Sequence, residues 1–549
     1  MERAPTMPTP IDAWRVHQYR EGDRVRIAQV EPSPVVPPTD SVTLRSIHAV
    51  LPEDAPPSDA IYEEKLVRDA ALPPEARLIA KAEREAWPGS EVRTLVNQGP
   101  TTNRINLTIV GDGYTDAEKD RFFADAQRIT DDLFAQTTFK SYLPLFNVHA
   151  VFVPSQESGL SDGADRNTAL GLYREPVGSK RAIMPGNYGA IERAIGLAPA
   201  TDYPILMAND DYYGGLGGQY AITTRSPQSG SMVLRHELGH NFGEVGEEYD
   251  GGYVYSGANA SRSSQVPWKK WVDGETGVGS GKALVGEYPW KNLAEGPLQY
   301  RFNVPDKGPE NPQTIQIDVS SVGWETPDDV SILLDGQPVP YQGIFTDDRS
   351  FFKVKPETSI TPGRHNIEFR ENVHDGNNVL ALVRVTTYDK GYDFTRDKVG
   401  AYPSFNSWNQ HVAYRPTHES CLMRDMRSTE FCAIDKENMW HQFLSRVCLV
   451  DAVGIGQETD CQGRVQRFVY VETPELPGLD LRWYKVGADG REAEIPELHN
   501  QRRWNPAEGE AGSYKVRARF ETPEVREYND RFTSEHAFTL NAPAAAKAA

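Results

Sequence analysis

The chain has 549 residues, more than one hydrophobic core can organise, and 38% hydrophobic with 25% charged residues is an ordinary composition for a globular protein. A formal net charge of −20 argues against nucleic acid as the main partner and against a polybasic membrane-surface role. No apolar run approaches the roughly 20 residues that span a bilayer, so no membrane span is expected.

Residues 1–90 are proline-rich, with β-like runs at Arg24–Val30 (RVRIAQV) and Ser41–Val50 (SVTLRSIHAV), followed by a helical pattern over Glu63–Glu85. They read as a β-rich N-terminal domain with a helical connector. A mixed α/β pattern follows. Arg104–Val110 (RINLTIV), Phe146–Val153 (FNVHAVFV) and Tyr203–Ala208 (YPILMA) read as buried strands. Thr115-Asp116-Ala117-Glu118 fits a capping box that opens a helix to about Gln136. Tyr212–Arg225 (YYGGLGGQYAITTR) reads as a glycine-rich loop entering an edge strand, and a helix then begins before Arg235. Alternating strands and helices imply a largely parallel sheet with the site on one face.

Residues 251–295 are loop-like. Short alternating runs between Leu298 and Tyr388 have sandwich-like spacing, and another β set spans Arg464–Leu540 before a tail expected to be disordered. The expected layout is an N-terminal domain over 1–90 and a catalytic domain split into 91–295 and 391–462. A β-sandwich over 296–390 interrupts it, a C-terminal β-sandwich occupies 463–541, and 542–549 form the tail. The fold class is thus multidomain α/β plus β.

The four cysteines, Cys421, Cys432, Cys448 and Cys461, all lie in one stretch. An even, clustered set suggests two disulfides, with Cys421–Cys432 and Cys448–Cys461 the favoured pairing, four reduced thiols the alternative, and a structural zinc site a lesser one because no CxxC pair occurs. The N-terminal MERAPTMPTPIDAWRV lacks the apolar centre of a signal peptide. Together these readings lead us to expect a secreted or periplasmic protein whose leader is absent from this chain.

The chemistry concentrates in RHELGHNFGEVGEEYD, Arg235–Asp250. Residues i and i+4 stack on one helix face, so His236 and His240 can present two imidazoles to one zinc ion. Glu237, one position round, can reach a metal-bound water as general base. Gly239 replaces a better helix former at a cost of about 1 kcal/mol, and Gly243 is placed to stop the helix one turn after His240. Glu244, Glu247, Glu248 and Asp250 follow; four close carboxylates repel one another unless a cation is present. The third-ligand position of the pattern HExxHxxGxxH/D falls on Gly246, which has no side chain, leaving Glu247 or Glu248 to serve.

This stretch resembles the IgA-peptidase family of zinc metallopeptidases, whose members carry HExGHxxxxLxDEY where this chain has HELGHNFGEVGEEY. Val245 stands where the family has Leu and Glu247 where it has Asp. NRINLTIVGDGYTDAE, FNVHAVFVPSQESG and YYGGLGGQYAI are similar to other parts of that family's catalytic domain. YRPTHESCLMRDM resembles its YRP…CxMR segment, and where the family often has a cysteine soon after Cys432, Asp435 or a neighbour stands instead. The resemblance implies a metzincin-like catalytic domain with one catalytic Zn2+ and a protein or peptide substrate. It implies Glu247 or Glu248 as third ligand, Met423 as a methionine turn beneath the metal, and Tyr414 as a hydrogen-bond donor to the developing oxyanion. An extended substrate would pair with the edge strand, with Gly215, Gly217 and Gly218 allowing close approach and Tyr220 beside them.

The expected function is therefore a zinc-dependent endopeptidase acting through a metal-activated water. Competing readings are a binding protein for glycoproteins with an inert metalloprotease domain, and a zinc amidase on cell-wall or small substrates. Acidic turns at Ser161–Asn167 and His374–Asn378 could take calcium, but neither has the oxygen spacing of a known loop, and solvated turns are the better reading.

Overall fold

A computed structural model describes residues 87–541 except 176–180, 253, 355–357 and 460–464. Ahead of them it describes residues 71 and 73 and four strands, Ala13–Glu21, Arg24–Ser33, Ser41–Ile47 and Tyr62–Arg68. The last of these corrects the sequence reading. Tyr62–Arg68 is not helical: it pairs antiparallel with both Ala13–Tyr19 and Ser41–Ile47, and cross-strand pairing overrides its helical composition. Residues 69, 70, 72 and 74–85 of the expected helix, Cys461 and the tail lie outside the described residues.

The described chain is rich in β-structure with few helices. Its central sheet runs in the order Gly215–Leu216, Ala221–Thr224, Tyr203–Ala208, Ile105–Asp112, Phe146–Phe152, Glu91–Val96. The four inner strands are parallel and both edge strands antiparallel. Ile105–Asp112 and Phe146–Phe152 are buried at every position, as expected of strands covered on both faces. The capping box forms as read: Glu118 accepts from the Thr115 backbone N–H at 3.0 Å and leads into the helix Lys119–Ala135. That helix and Gly230–Gly243 bury Phe122, Ile129, Leu133, Leu234, Leu238 and Phe242 in one hydrophobic core.

The same core continues into the C-terminal sheets. Trp440, on the helix Ala433–Phe443, packs on Phe520 at 4.8 Å between ring centroids, and Trp483 and Val516 belong to the same cluster. A second core lies between two other sheets. One is built on Gly281–Glu287, Gln313–Val322, Ser350–Lys353 and Val379–Tyr388, the other on Leu298–Val304, Val330–Leu334 and Gly363–Glu371. Gly281–Glu287, read from sequence as loop, is a strand because it pairs along Val383–Tyr388. No helix among the described residues is long and apolar enough to cross a membrane.

Candidate active site

The helix Gly230–Gly243 places His236 and His240 one turn apart, their rings perpendicular and 4.9 Å between centroids. Each ring is tethered through Nδ1: His240 to the Val245 carbonyl at 2.8 Å, His236 to the Leu422 carbonyl at 3.4 Å. A donor N–H on Nδ1 leaves each Nε2 as a lone-pair donor facing the site. The Glu247 carboxylate meets both, at 3.4 Å from His236 Nε2 and 3.2 Å from His240 Nε2.

The chain reversal that delivers Glu247 does not occur at Gly243, which is still helical. It occurs at Glu244, whose φ of 52° is left-handed and whose N–H returns to the His240 carbonyl at 2.8 Å. Gly246 then runs against the backbone of Ser256, where a Cβ would lie 2.6 Å from the Ser256 nitrogen. This close approach explains why the position cannot supply a ligand itself. Glu248, the alternative ligand, points away into a sealed pocket and donates its N–H to the Met423 carbonyl at 3.1 Å. Nor do the four acids form one cluster: Asp250 is paired with Arg424 at 2.8 Å.

Met423 is fully buried under this helix. A Cβ on Gly239 would come within 2.9 Å of both the Met423 sulfur and the Phe431 ring, so packing of Met423 and Phe431 against the helix requires the glycine. Glu237 faces the other way, into a cavity of about 240 Å³ that His236, Glu247, Gly215 and Gly217 also line. Burial raises the Glu237 carboxyl above its ordinary range, against the pull of the two imidazoles. Burial alone would also raise Glu247, but the imidazoles outweigh it and hold the carboxyl at about 2. For His240 the balance is reversed: burial lowers it, and Glu247 lifts it to about 9.

These donors fit a divalent cation. Two tethered imidazoles and a carboxylate are the ligand types and number of a catalytic zinc site. The buried Glu247 Oε2 has no hydrogen-bond partner among the described residues, and a positive charge is what its surroundings already favour.

The edge strand Gly215–Leu216 borders the cavity, and Gly217 approaches so closely that a Cβ there would sit 2.2 Å from Glu237 Oε2. Two of the expected substrate contacts are not brought in. Gly218 does not line the cavity, and neither does Tyr220, which is buried in another hydrophobic cluster, donates to Glu192 at 2.5 Å and has its ring tilted 6.4 Å from that of Tyr188. Tyr414 is likewise absent from the lining and packs on His411 at 4.6 Å. Tyr249 and Tyr288 line it instead; the Tyr249 ring lies 6.3 Å from His236. Their signal in sequence was slight: Tyr249 ends the EEY run, and Tyr288 had none.

Long-range packing supplies the rest of the wall. Val319, Phe351, Phe352, Leu382, Asp318 and Arg384 come from one sheet of the second core. Arg384 is neutralised by Asp318 at 2.8 Å and Arg427 by Asp425 at 2.8 Å. Arg349 is different. It is 6% exposed, donates to Ser320 Oγ at 3.1 Å and to the Tyr213 hydroxyl, and lies over the Tyr213 ring, with no carboxylate paired to it among the described residues. Burial, reinforced by the like charge of Arg181, pulls its guanidinium down to about 9.

The expected disulfide Cys421–Cys432 is not formed. Both residues are free, buried thiols; Cys421 donates to Asp435 Oδ2 at 3.0 Å, and Cys432 lies 3.8 Å from Glu248 Oε1. Cys448 is a free, exposed thiol, so the second expected bridge has one of its ends unpaired. Of the acidic turns, Asp375 is occupied by the amide of Asn378 at 2.8 Å.

A buried carboxylate beside converging imidazoles, on the floor of a cavity bordered by a sheet edge, is the layout of a hydrolase. Residues 94–288, about a third of the chain, match the family model of IgA Peptidase M64. No curated protein matches the chain. Among solved structures, a Paenibacillus sp. cycloisomaltooligosaccharide glucanotransferase complexed with cycloisomaltoheptaose aligns at 12% identity, over 66% of this chain and 58% of that one. Its TM-score of 0.12 carries no argument about fold or activity.

Proposed function

We propose that the protein is a zinc-dependent endopeptidase with a metzincin-like catalytic domain. The observation that carries this reading is the convergence of His236 Nε2, His240 Nε2 and the Glu247 carboxylate, at 3.4 and 3.2 Å, beside the cavity-facing Glu237. His236, His240 and Glu247 would hold the ion. Once bound, it supplies a Lewis acid that polarises the scissile carbonyl and acidifies water. Glu237 takes up the proton released by the attacking water and delivers it to the leaving amine; burial, which raises its proton affinity, suits it to hold that proton between the two steps. The strand Gly215–Leu216 borders the cavity; because the Gly215 N–H is already taken by the Arg181 carbonyl at 3.0 Å, an extended peptide would run along Leu216 and Gly217, and Gly217 lets that backbone pass close to Glu237.

Arg349 bears on substrate class. A buried cation without a carboxylate partner is unfavourable in the empty cavity and would be offset by an anionic group of the peptide, an acidic side chain or a terminal carboxylate.

Glu237→Gln keeps shape and hydrogen bonding but removes the base. Cleavage of an unfolded protein substrate should fall about 10²–10⁴-fold with bound zinc unchanged. Full activity in that variant would refute the assignment. Absence of any fragments from the zinc-loaded wild type would favour an amidase acting on small or cell-wall substrates.

A further inference from the structure

The site above leaves one cluster of metal-binding side chains unused. Glu248, Cys421, Cys432 and Asp435 each contribute an atom to a group in which all four lie within 4.8 Å of one another. The cluster is sealed: Glu248, Cys421 and Asp435 are 0% exposed and Cys432 3%. None of the four lines the catalytic cavity. They come from three separate places, the strap after Glu247, the turn before Met423, and the start of the helix Ala433–Phe443, where Cys432 is the N-cap and Asp435 lies in the first turn.

Four groups that ionise as anions, enclosed away from bulk solvent, need protons or a cation to balance them. The protein's own polar contacts leave the requirement unmet. Asn259 donates to Glu248 Oε1 at 3.1 Å, but Glu248 Oε2 and Asp435 Oδ1 have no hydrogen-bond partner among the described residues. Arg415, the guanidinium that acts on Glu248, is committed to the Pro403 and His418 carbonyls.

We propose that Glu248, Cys421, Cys432 and Asp435 form a second, closed metal site for a divalent thiophilic cation of the zinc class. Two thiolates with two carboxylates match the borderline softness of zinc and exclude magnesium and calcium, which take oxygen alone. Bonds of about 2.3 Å to sulfur and about 2.0–2.2 Å to oxygen put tetrahedral donors roughly 3.3–3.8 Å apart, so closure needs movements on the order of 1 Å or less. With four protein ligands and no opening to the cavity, the ion has a structural role. It ties the strap bearing Glu247 to the methionine turn and to the helix behind it. This inference does not rest on the peptidase reading.

The test uses the full chain produced with zinc or cobalt and freed of loosely bound ion. Metal analysis should find two equivalents in the wild type. His236→Ala/His240→Ala should lose one and keep the other, and its cobalt form should show the near-ultraviolet thiolate-to-cobalt absorption. Cys421→Ser/Cys432→Ser should lose that absorption. Because the serine variant could fail to fold, the histidine variant, with the cluster intact, is decisive. A folded histidine variant that binds no metal overturns the proposal, as does bound cobalt without thiolate absorption. A Cys421–Cys432 disulfide in the metal-free native chain, read by mass after alkylation, overturns it equally. A wild type that holds both ions yet cleaves no protein would count against the peptidase reading alone.

Discussion

Glu247 and Glu248 are neighbours in sequence, yet they serve opposite environments. Glu247 meets two imidazoles at the edge of a cavity; Glu248 meets two thiols in a pocket with no measurable exposure. Both are carboxylates in clusters of metal-binding side chains, so donor chemistry alone does not separate their roles. Access does. A site that keeps a position open to water and substrate can do hydrolysis, whereas one closed by protein ligands can only hold structure together. The strap that follows the left-handed Glu244 carries both residues, one to each cluster.

The sharpest way to break the comparison is to exchange the amides. Glu247→Gln should reduce activity by more than the roughly 10–100-fold typical of losing an outer partner of a metal ligand, with little change in melting temperature of the metal-free chain. Glu248→Gln should act mainly on stability, lowering the melting temperature, while the enzyme that remains folded turns over at close to the wild-type rate. Activity assays normalised to folded protein, paired with thermal melts, give the answer. If Glu248→Gln abolished turnover in fully folded protein while Glu247→Gln did not, the ligand assignment would have to be reversed.

How much of this could be read in sequence depended on range. His236, Glu237 and His240 were legible because a helix makes the i, i+4 geometry local. The central strands were legible because burial on both faces leaves continuous apolar runs. Which of Glu247 and Glu248 meets the imidazoles was not, since it turns on one residue's φ and on backbone contact with Ser256. Tyr62–Arg68 was misread because its two strand partners lie far away in the chain. Tyr220 was misplaced because the glycine-rich entry conceals which face the following strand presents. Nothing in sequence placed Arg349 in the wall of the cavity that the helix Gly230–Gly243 borders: its position depends on how a second sheet packs over that cavity.

That wall sharpens the comparison from the substrate's side. A charge-assisted hydrogen bond contributes about 1.5–3 kcal/mol, so Arg349→Met should cost roughly 10–150-fold in kcat/KM on peptides carrying a suitably placed acidic group. Neutral analogues should lose much less, because Met preserves the apolar packing against Tyr213. The measurement is the ratio of kcat/KM for a matched acidic and neutral peptide pair. An unchanged ratio would remove Arg349 from recognition and leave it a packing residue.

The smallest effect concerns acid, and it falls first on the sealed side. His418, in the segment leading to Cys421, is 1% exposed and enclosed by Tyr388, Tyr392, Phe394 and Tyr402. Burial, followed by the nearby Arg415 and Arg424, lowers its pKa from 6.5 to about 2. His149 in the central sheet is lowered by burial alone, to about 4. An unfolded histidine binds its proton near pH 6.5, whereas these folded ones refuse it. Between those values the unfolded chain therefore holds more protons, and stability must fall as pH falls. The contribution is intact above about pH 6.5; His149 stops adding to the loss near pH 4, and His418 continues towards pH 2. His418→Gln removes the titration while keeping a polar group for the Tyr392 hydroxyl, which lies 3.2 Å from His418 Nδ1. Denaturant midpoints between pH 7 and pH 4 should fall less steeply in that variant than in the wild type, even if its stability at pH 7 is lower. Parallel slopes would mean that the histidine is not the group through which acid enters the sealed region.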